Sequence, residues 1–175
     1  MRRAPGANQC VMSNFADRLV AAVRAKGNPV CVGLDPRFDL LPSRIRQLCL
    51  RTHGASARAV AAAFLEFNRA IIDAVADVVP VCKPQIAFYE EFGAEGVRAF
   101  EETVRYAHAR GLVVISDAKR GDIGSTAEAY ARAHLCDDRD EVVGRGFDAD
   151  AVTVNPYLGR DSLAPFLALC RDRGR

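Results

Sequence analysis

The chain has 175 residues, half of them hydrophobic and 26% charged, which fits one globular domain and excludes wholesale disorder. The formal net charge is +2, and basic residues are dispersed among acids, which excludes a nucleic-acid stripe or a polybasic membrane anchor. The six cysteines form no CxxC pair and no zinc-like cluster with histidine, and no apolar run approaches the roughly 18 residues of a membrane span.

Residues 1–12 read as an unstructured extension without the apolar core of a secretory signal, so the expected setting is reduced and cytoplasmic. From residue 13 to residue 175 the pattern is that of a single unit. Ser13 is the expected N-cap of a first helix, in which Phe15, Leu19 and Val23 recur every four residues up to Gly27. The run PVCVGLDP (29–36) predicts a buried strand ending in Asp35, with Cys31 as a small hydrophobe and Gly33 either allowing close packing or marking a bulge. Residues 43–50 predict a short helix whose basic residues 44, 46 and 51 face solvent, and Ser56 to Asp77 a long alanine-rich helix.

The pattern then repeats. VVPVCK (78–83) reads as a strand ending in Lys83, with Cys82 inside it; Phe88 and Tyr89 beyond it suit either pocket or core. Residues 94–110 predict a helix, LVVISD (112–117) a strand ending in Asp117, and 124–135 another helix. The polar stretch 136–149 reads as a loop, AVTVN (151–155) as a strand ending in Asn155, and 161–172 as a last helix. His53, His108 and His134 are scattered and read as surface or satisfied side chains rather than ligands.

Strand alternating with helix predicts an α/β fold with a parallel sheet. All four strands end in a polar residue, and parallel strands gather their ligand groups at their carboxyl ends. No GxGxxG or GxxxxGK[ST] follows any strand, which disfavours nucleotide-cofactor and P-loop readings and leaves a (β/α)₈ barrel. A complete barrel takes roughly 250 residues, so four βα units amount to an incomplete one. Its open sheet edges and uncovered interior imply association with itself or with a missing half.

VVISDAKRGDIGSTA (113–127) carries the densest chemistry. Asp117 and Lys119 share one side of a strand, Asp122 follows in a glycine-containing turn, and Lys83 comes from the neighbouring strand. Meeting at one mouth, two lysines and two aspartates form a neutral network in which each charge has a partner. The plain alternative is a structural salt-bridge cluster capping the strand ends.

The spacing D-x-K-x-x-D-I-G-x-T (Asp117, Lys119, Asp122, Ile123, Gly124, Thr126) resembles the signature of orotidine 5′-monophosphate decarboxylases. VGLDP, CKPQIAFYEEFG and TVNPYLGRDSL are similar in order to the longer bacterial branch, from about residue 14 onward. The resemblance implies a cofactor-independent decarboxylase without a metal, converting orotidine 5′-monophosphate to UMP and CO2 in pyrimidine biosynthesis. It implies Lys119 as proton donor, Asp117 against the substrate carboxylate, and Lys83 supporting the charge array and the ribose. Asp122 would act across a homodimer with Ile123 and Thr126 beside it, Asp35 would bind a ribose hydroxyl, and Asn155 would line the site. The family's phosphate-binding arginine and mobile loop have no counterpart in these residues, so the chain is expected to be weak or inactive alone.

Three rivals remain. A magnesium-dependent keto-gulonate phosphate decarboxylase or hexulose phosphate synthase shares the D-x-K-x-x-D frame but offers an acidic metal ligand on the second strand, where this chain has Lys83. A Schiff-base aldolase needs a lysine of lowered pKa, which flanking aspartates oppose. A non-catalytic remnant would act only through a protein partner.

Overall fold

The computed structural model describes residues 14–136 and 146–175. The expected extension 1–12 and the middle of the polar 136–149 segment lie outside those residues. Along the chain run α1 (Phe15–Lys26), β1 (Cys31–Leu34), a 3₁₀ turn (Phe38–Leu40), α2 (Ser43–His53), α3 (Ala57–Val75), β2 (Val81–Pro84), α4 (Ala87–Glu90), α5 (Gly93–Ala109), β3 (Val113–Arg120), α6 (Gly124–Leu135), β4 (Ala151–Val154) and α7 (Arg160–Arg173). The strands form one parallel sheet in the order β1-β2-β3-β4. This is the expected alternation, four βα units of a barrel.

Local chemistry sets the element ends. The N-cap of α1 is Asn14 rather than Ser13: its side chain accepts from Asp17 N at 2.9 Å, satisfying an amide that the helix leaves open. Ser56 Oγ accepts from Ala59 N at 3.2 Å at the start of α3. Gly27, with φ of 60°, closes α1 in the left-handed conformation that costs glycine no Cβ clash. The 3₁₀ turn and α4 are new relative to the sequence pattern, since one turn is too short to show a period.

The strands alternate faces as a pleat requires. Leu34, Cys82, Val114 and Ser116 are buried against the helices, at 2% exposure or less. Cys31, Gly33 and Lys83 lie on the opposite face, where Cys31 and Gly33 are exposed and Lys83 is half-buried. Cys31 therefore departs from its expected burial: the apolar run spans both faces of β1, and only one is covered by helices. Gly33 pairs in regular register with Lys83, which removes the bulge. A Cβ there would meet only the Asp35 carboxylate at 3.6 Å, so close packing does not require the glycine.

The core lies between the sheet and α3 and α5. Tyr89 is fully buried, edge-on to Phe64 and Phe100 with centroids 5.8 and 5.3 Å away, an arrangement favoured by the ring quadrupoles. Its hydroxyl donates to Leu34 O at 3.3 Å and accepts from Asn68 Nδ2 at 2.8 Å, and Asn68 also donates to Thr103 Oγ1 at 3.0 Å. Tyr89 thus belongs to the core rather than the pocket, and half-buried Phe88 packs against the same core.

Asp150, just before β4, ties the other end of the sheet together. Its carboxylate accepts from Arg18 at 2.9 Å and from Val114 N at 2.8 Å, and lies 2.9 Å from His108 Nε2. Burial pushes its pKa up, but the hydrogen bonds from His108 and Val114 and the Arg18 charge outweigh this and hold it below the usual range. His134 is buried, its Nδ1 2.9 Å from Ser116 Oγ. His108 and His134 are thus satisfied structural side chains, as their scatter suggested. Among the described residues no group of three or more His, Cys, Asp or Glu is placed to hold a metal ion, and no helix is long and apolar enough to cross a membrane.

Candidate active site

Parallel pairing brings the carboxyl ends of the four strands to one edge. The end of β1 delivers Asp35, β2 carries Lys83, β3 carries Asp117 and Lys119, and Asn155 follows β4. The middle of this edge is an ion-pair network centred on Asp117. Lys83 Nζ reaches Asp117 Oδ2 at 2.7 Å, Lys119 Nζ reaches Oδ1 at 2.6 Å, and Thr153 Oγ1 donates to Oδ1 at 2.8 Å.

Asp117 is 6% exposed. Burial alone would raise its pKa, yet the hydrogen bonds from Lys119, Lys83 and Thr153, with the Lys83 charge, bring it down to about 2. Burial likewise works to lower the pKa of Lys83, but its hydrogen bond and charge contact with Asp117 and the charge of Asp35 leave it raised. The carboxylate stays ionised and both its oxygens are held. A substrate entering here meets a fixed anion flanked by two ammonium groups, one of them on the 64%-exposed side chain of Lys119.

The backbone under Lys119 is irregular. Between Ser116↔Val152 and Arg120↔Val154 the register shifts, so β3 carries two more residues than β4 over this stretch. The surplus forms a bulge, and within it Lys119 adopts φ of 48°. A side chain in this left-handed region is uncommon and costs energy, so the surroundings must enforce it. Thr153 does so by accepting from both Ala118 N and Lys119 N at 3.0 Å. The ladder closes again beyond, where Asn155 N donates to Arg120 O at 2.7 Å.

Three of the four expected charges thus meet, and the fourth does not. Asp122 follows Gly121 in the loop after β3, and its Oδ1 accepts from its own neighbour, Ile123 N, at 2.7 Å. Ile123 is 62% exposed and Thr126 is exposed on the first turn of α6. Asp35 is exposed and close enough to bear on the charge of Lys83. Asn155 uses Oδ1 to accept from Tyr157 N at 3.0 Å, capping its own loop. Gly121 packs against that loop: a Cβ there would come 2.9 Å from Asn155 O. Thr153 was not singled out in the sequence, where it reads as one β-branched residue in a strand.

A family model described as orotidine 5′-phosphate decarboxylase / HUMPS matches residues 28–175. The chain belongs to this family. An orotidine 5′-phosphate decarboxylase of Rhodopirellula baltica is 47% identical over 162 residues, 93% of this chain and 52% of that protein. One from Clostridium novyi is 42% identical over 157 residues, 90% of this chain and 49% of that protein. The structure of Leishmania donovani OMP decarboxylase superposes with a TM-score of 0.65 at 35% identity, over 89% of this chain and 49% of that one. A Streptomyces avermitilis structure assigned the same activity gives 0.73 at 38% identity, over 98% of this chain and 54% of that one. The family member described here therefore spans about half the length of its curated relatives, and its fold is about half of their barrel.

Proposed function

We propose that this chain supplies the lysine–aspartate centre of an orotidine 5′-monophosphate decarboxylase. The observation that carries the reading is the Asp117 carboxylate, held between Lys83 at 2.7 Å and Lys119 at 2.6 Å at the carboxyl ends of neighbouring parallel strands. In the reaction the bond from the pyrimidine ring to the carboxylate breaks, and its electron pair stays on the ring carbon. The Lys119 ammonium stabilises that charge as it develops, then gives the carbon a proton. Asp117, fixed and ionised, lies against the substrate carboxylate and disfavours the bound ground state; this contribution ranks behind that of the lysine. Lys83 keeps Asp117 charged and faces the ribose, and Asp35 takes a ribose hydroxyl.

Asp122, Ile123 and Thr126 act in a partner subunit's site, and Asn155 lines the rim. Exposed Ile123, Tyr157 and Leu158, on the loops after β3 and β4, support a dimer contact there. The family description spans more than one activity. Lys83 favours the metal-independent one: its ammonium occupies the place where a magnesium-using enzyme needs an anionic ligand, and it would repel a cation.

Loss of orotidine 5′-monophosphate absorbance is measured with purified 1–175, alone and with the C-terminal half of a related enzyme. Turnover only with the added half is expected. No turnover in either case would favour the remnant that acts only through a protein partner.

A further inference from the structure

We propose that Thr153 is the positioning residue of this site: its hydroxyl sets both the orientation of the Asp117 carboxylate and the backbone course of Lys119. A hydroxyl has one proton to give and two lone pairs to receive with. Thr153 uses all three. It accepts from Ala118 N and Lys119 N, each at 3.0 Å, and donates to Asp117 Oδ1 at 2.8 Å. With both lone pairs taken, the hydroxyl proton has one direction left, toward Asp117. The hydrogen bond therefore demands an unprotonated Oδ1, the oxygen that Lys119 also grips.

The bulge explains why a side chain does this work. Two surplus residues of β3 have no opposite number on β4, so two successive amides lose their ladder acceptors. An amide without a partner is costly where it is buried, as Ala118 is. The Thr153 oxygen stands in for the missing carbonyls, and holds Lys119 at φ of 48° while doing so. Threonine suits the post because its branched Cβ is stiff and fits a strand.

The proposal rests on the decarboxylase reading only for what Lys119 then does. The geometry is tested without turnover. Wild type, Thr153→Val and Thr153→Ser are compared as the 175-residue chain by NMR, reading amide exchange at Ala118 and Lys119 and the carboxylate titration of Asp117. Valine keeps the shape and removes the hydroxyl; serine keeps the hydroxyl and removes the methyl. In the valine variant, exchange at both amides should accelerate about tenfold relative to Val114, and the Asp117 midpoint should rise by about one unit. Serine should leave both near wild type. Unchanged exchange and titration in the valine variant, or a serine variant that behaves like valine, overturns the proposal. If the valine chain does not fold, the serine chain decides: retained protection supports the hydroxyl, and lost protection overturns it. In enzyme completed with a relative's C-terminal half, valine should lower kcat with little change in KM, and serine should restore it; KM rising with kcat unchanged would also count against positioning. An inactive completed enzyme would sink the decarboxylase reading and leave the NMR result standing.

Discussion

Lys83 Nζ and Asp117 Oδ2 meet at 2.7 Å across two neighbouring strands, and Asp117 is the more buried partner. Its pKa of about 2 lies below the ordinary 3.8. A depressed carboxylate adds stability that is complete above the unfolded pKa and is lost as pH falls through the folded one. For Asp117 this contribution is on the order of 2 kcal/mol, lost between about pH 4 and pH 2. Lys83→Met should raise the Asp117 pKa and lower stability near neutrality by about 1–2 kcal/mol. Urea denaturation across this pH range checks both effects.

Lys119 is the one lysine of the pair with a largely exposed side chain. Lys119→Ala in enzyme completed with a C-terminal half should lose at least about a thousandfold in kcat. Near-normal turnover would remove Lys119 as proton donor.

Asp122 makes its hydrogen bond within its own loop, away from the Lys83–Asp117–Lys119 network. Asp122→Asn should therefore cripple turnover without moving the Asp117 titration. Mixing completed Asp122→Asn and Lys119→Ala enzymes should restore part of the activity through heterodimers carrying one intact shared site. No rescue counts against the shared site.

His134 imposes a separate pH dependence. Burial, with the charge of Arg120, lowers its pKa from 6.5 to about 4. Between those values the unfolded chain binds the proton and the folded chain does not, so stability falls as pH drops, by about 3 kcal/mol in total. His134→Gln should flatten thermal stability across that window, whatever it costs at neutrality. A slope identical to wild type would show that His134 is not its source.

Asp150 joins α1, α5 and the start of β3 through Arg18, His108 and Val114 N. Asp150→Ala removes the shared acceptor of all three, leaving Arg18 its bond to Gly174 O at 2.8 Å, and should cost about 3 kcal/mol, read as a lower urea midpoint. The Asp117 network, at the opposite end of the strands, should keep its titration in whatever fraction stays folded.

The fold was legible because its signals were long. Apolar runs ending in Asp35, Lys83, Asp117 and Asn155 marked the strands, and the helices between them span several turns. The charged centre was legible because Asp117 and Lys119 share a motif. Thr153 was not, since its role arises from a register shift between β3 and β4 that no single segment encodes. The partner of Asp122 was hidden for a different reason: a local bond within its own turn, to Ile123 N, decided it. Cys31 shows the limit of apolar runs, which cannot say which face of a strand the helices will cover.

Gly121 ties two loops together through atoms common to nearly every residue. The neighbour a Cβ would strike first is the carbonyl oxygen of Asn155, then its Cβ. The contact therefore reads main-chain position and ignores what side chain stands at 155. The loop bearing Asp122 takes its height above the sheet from the path of the chain leaving β4, so residue 121 has no room to vary, while the Asn155 side chain is left to cap its own loop at Tyr157 N. A methyl at 121 would act at a distance, displacing a carboxylate it never touches.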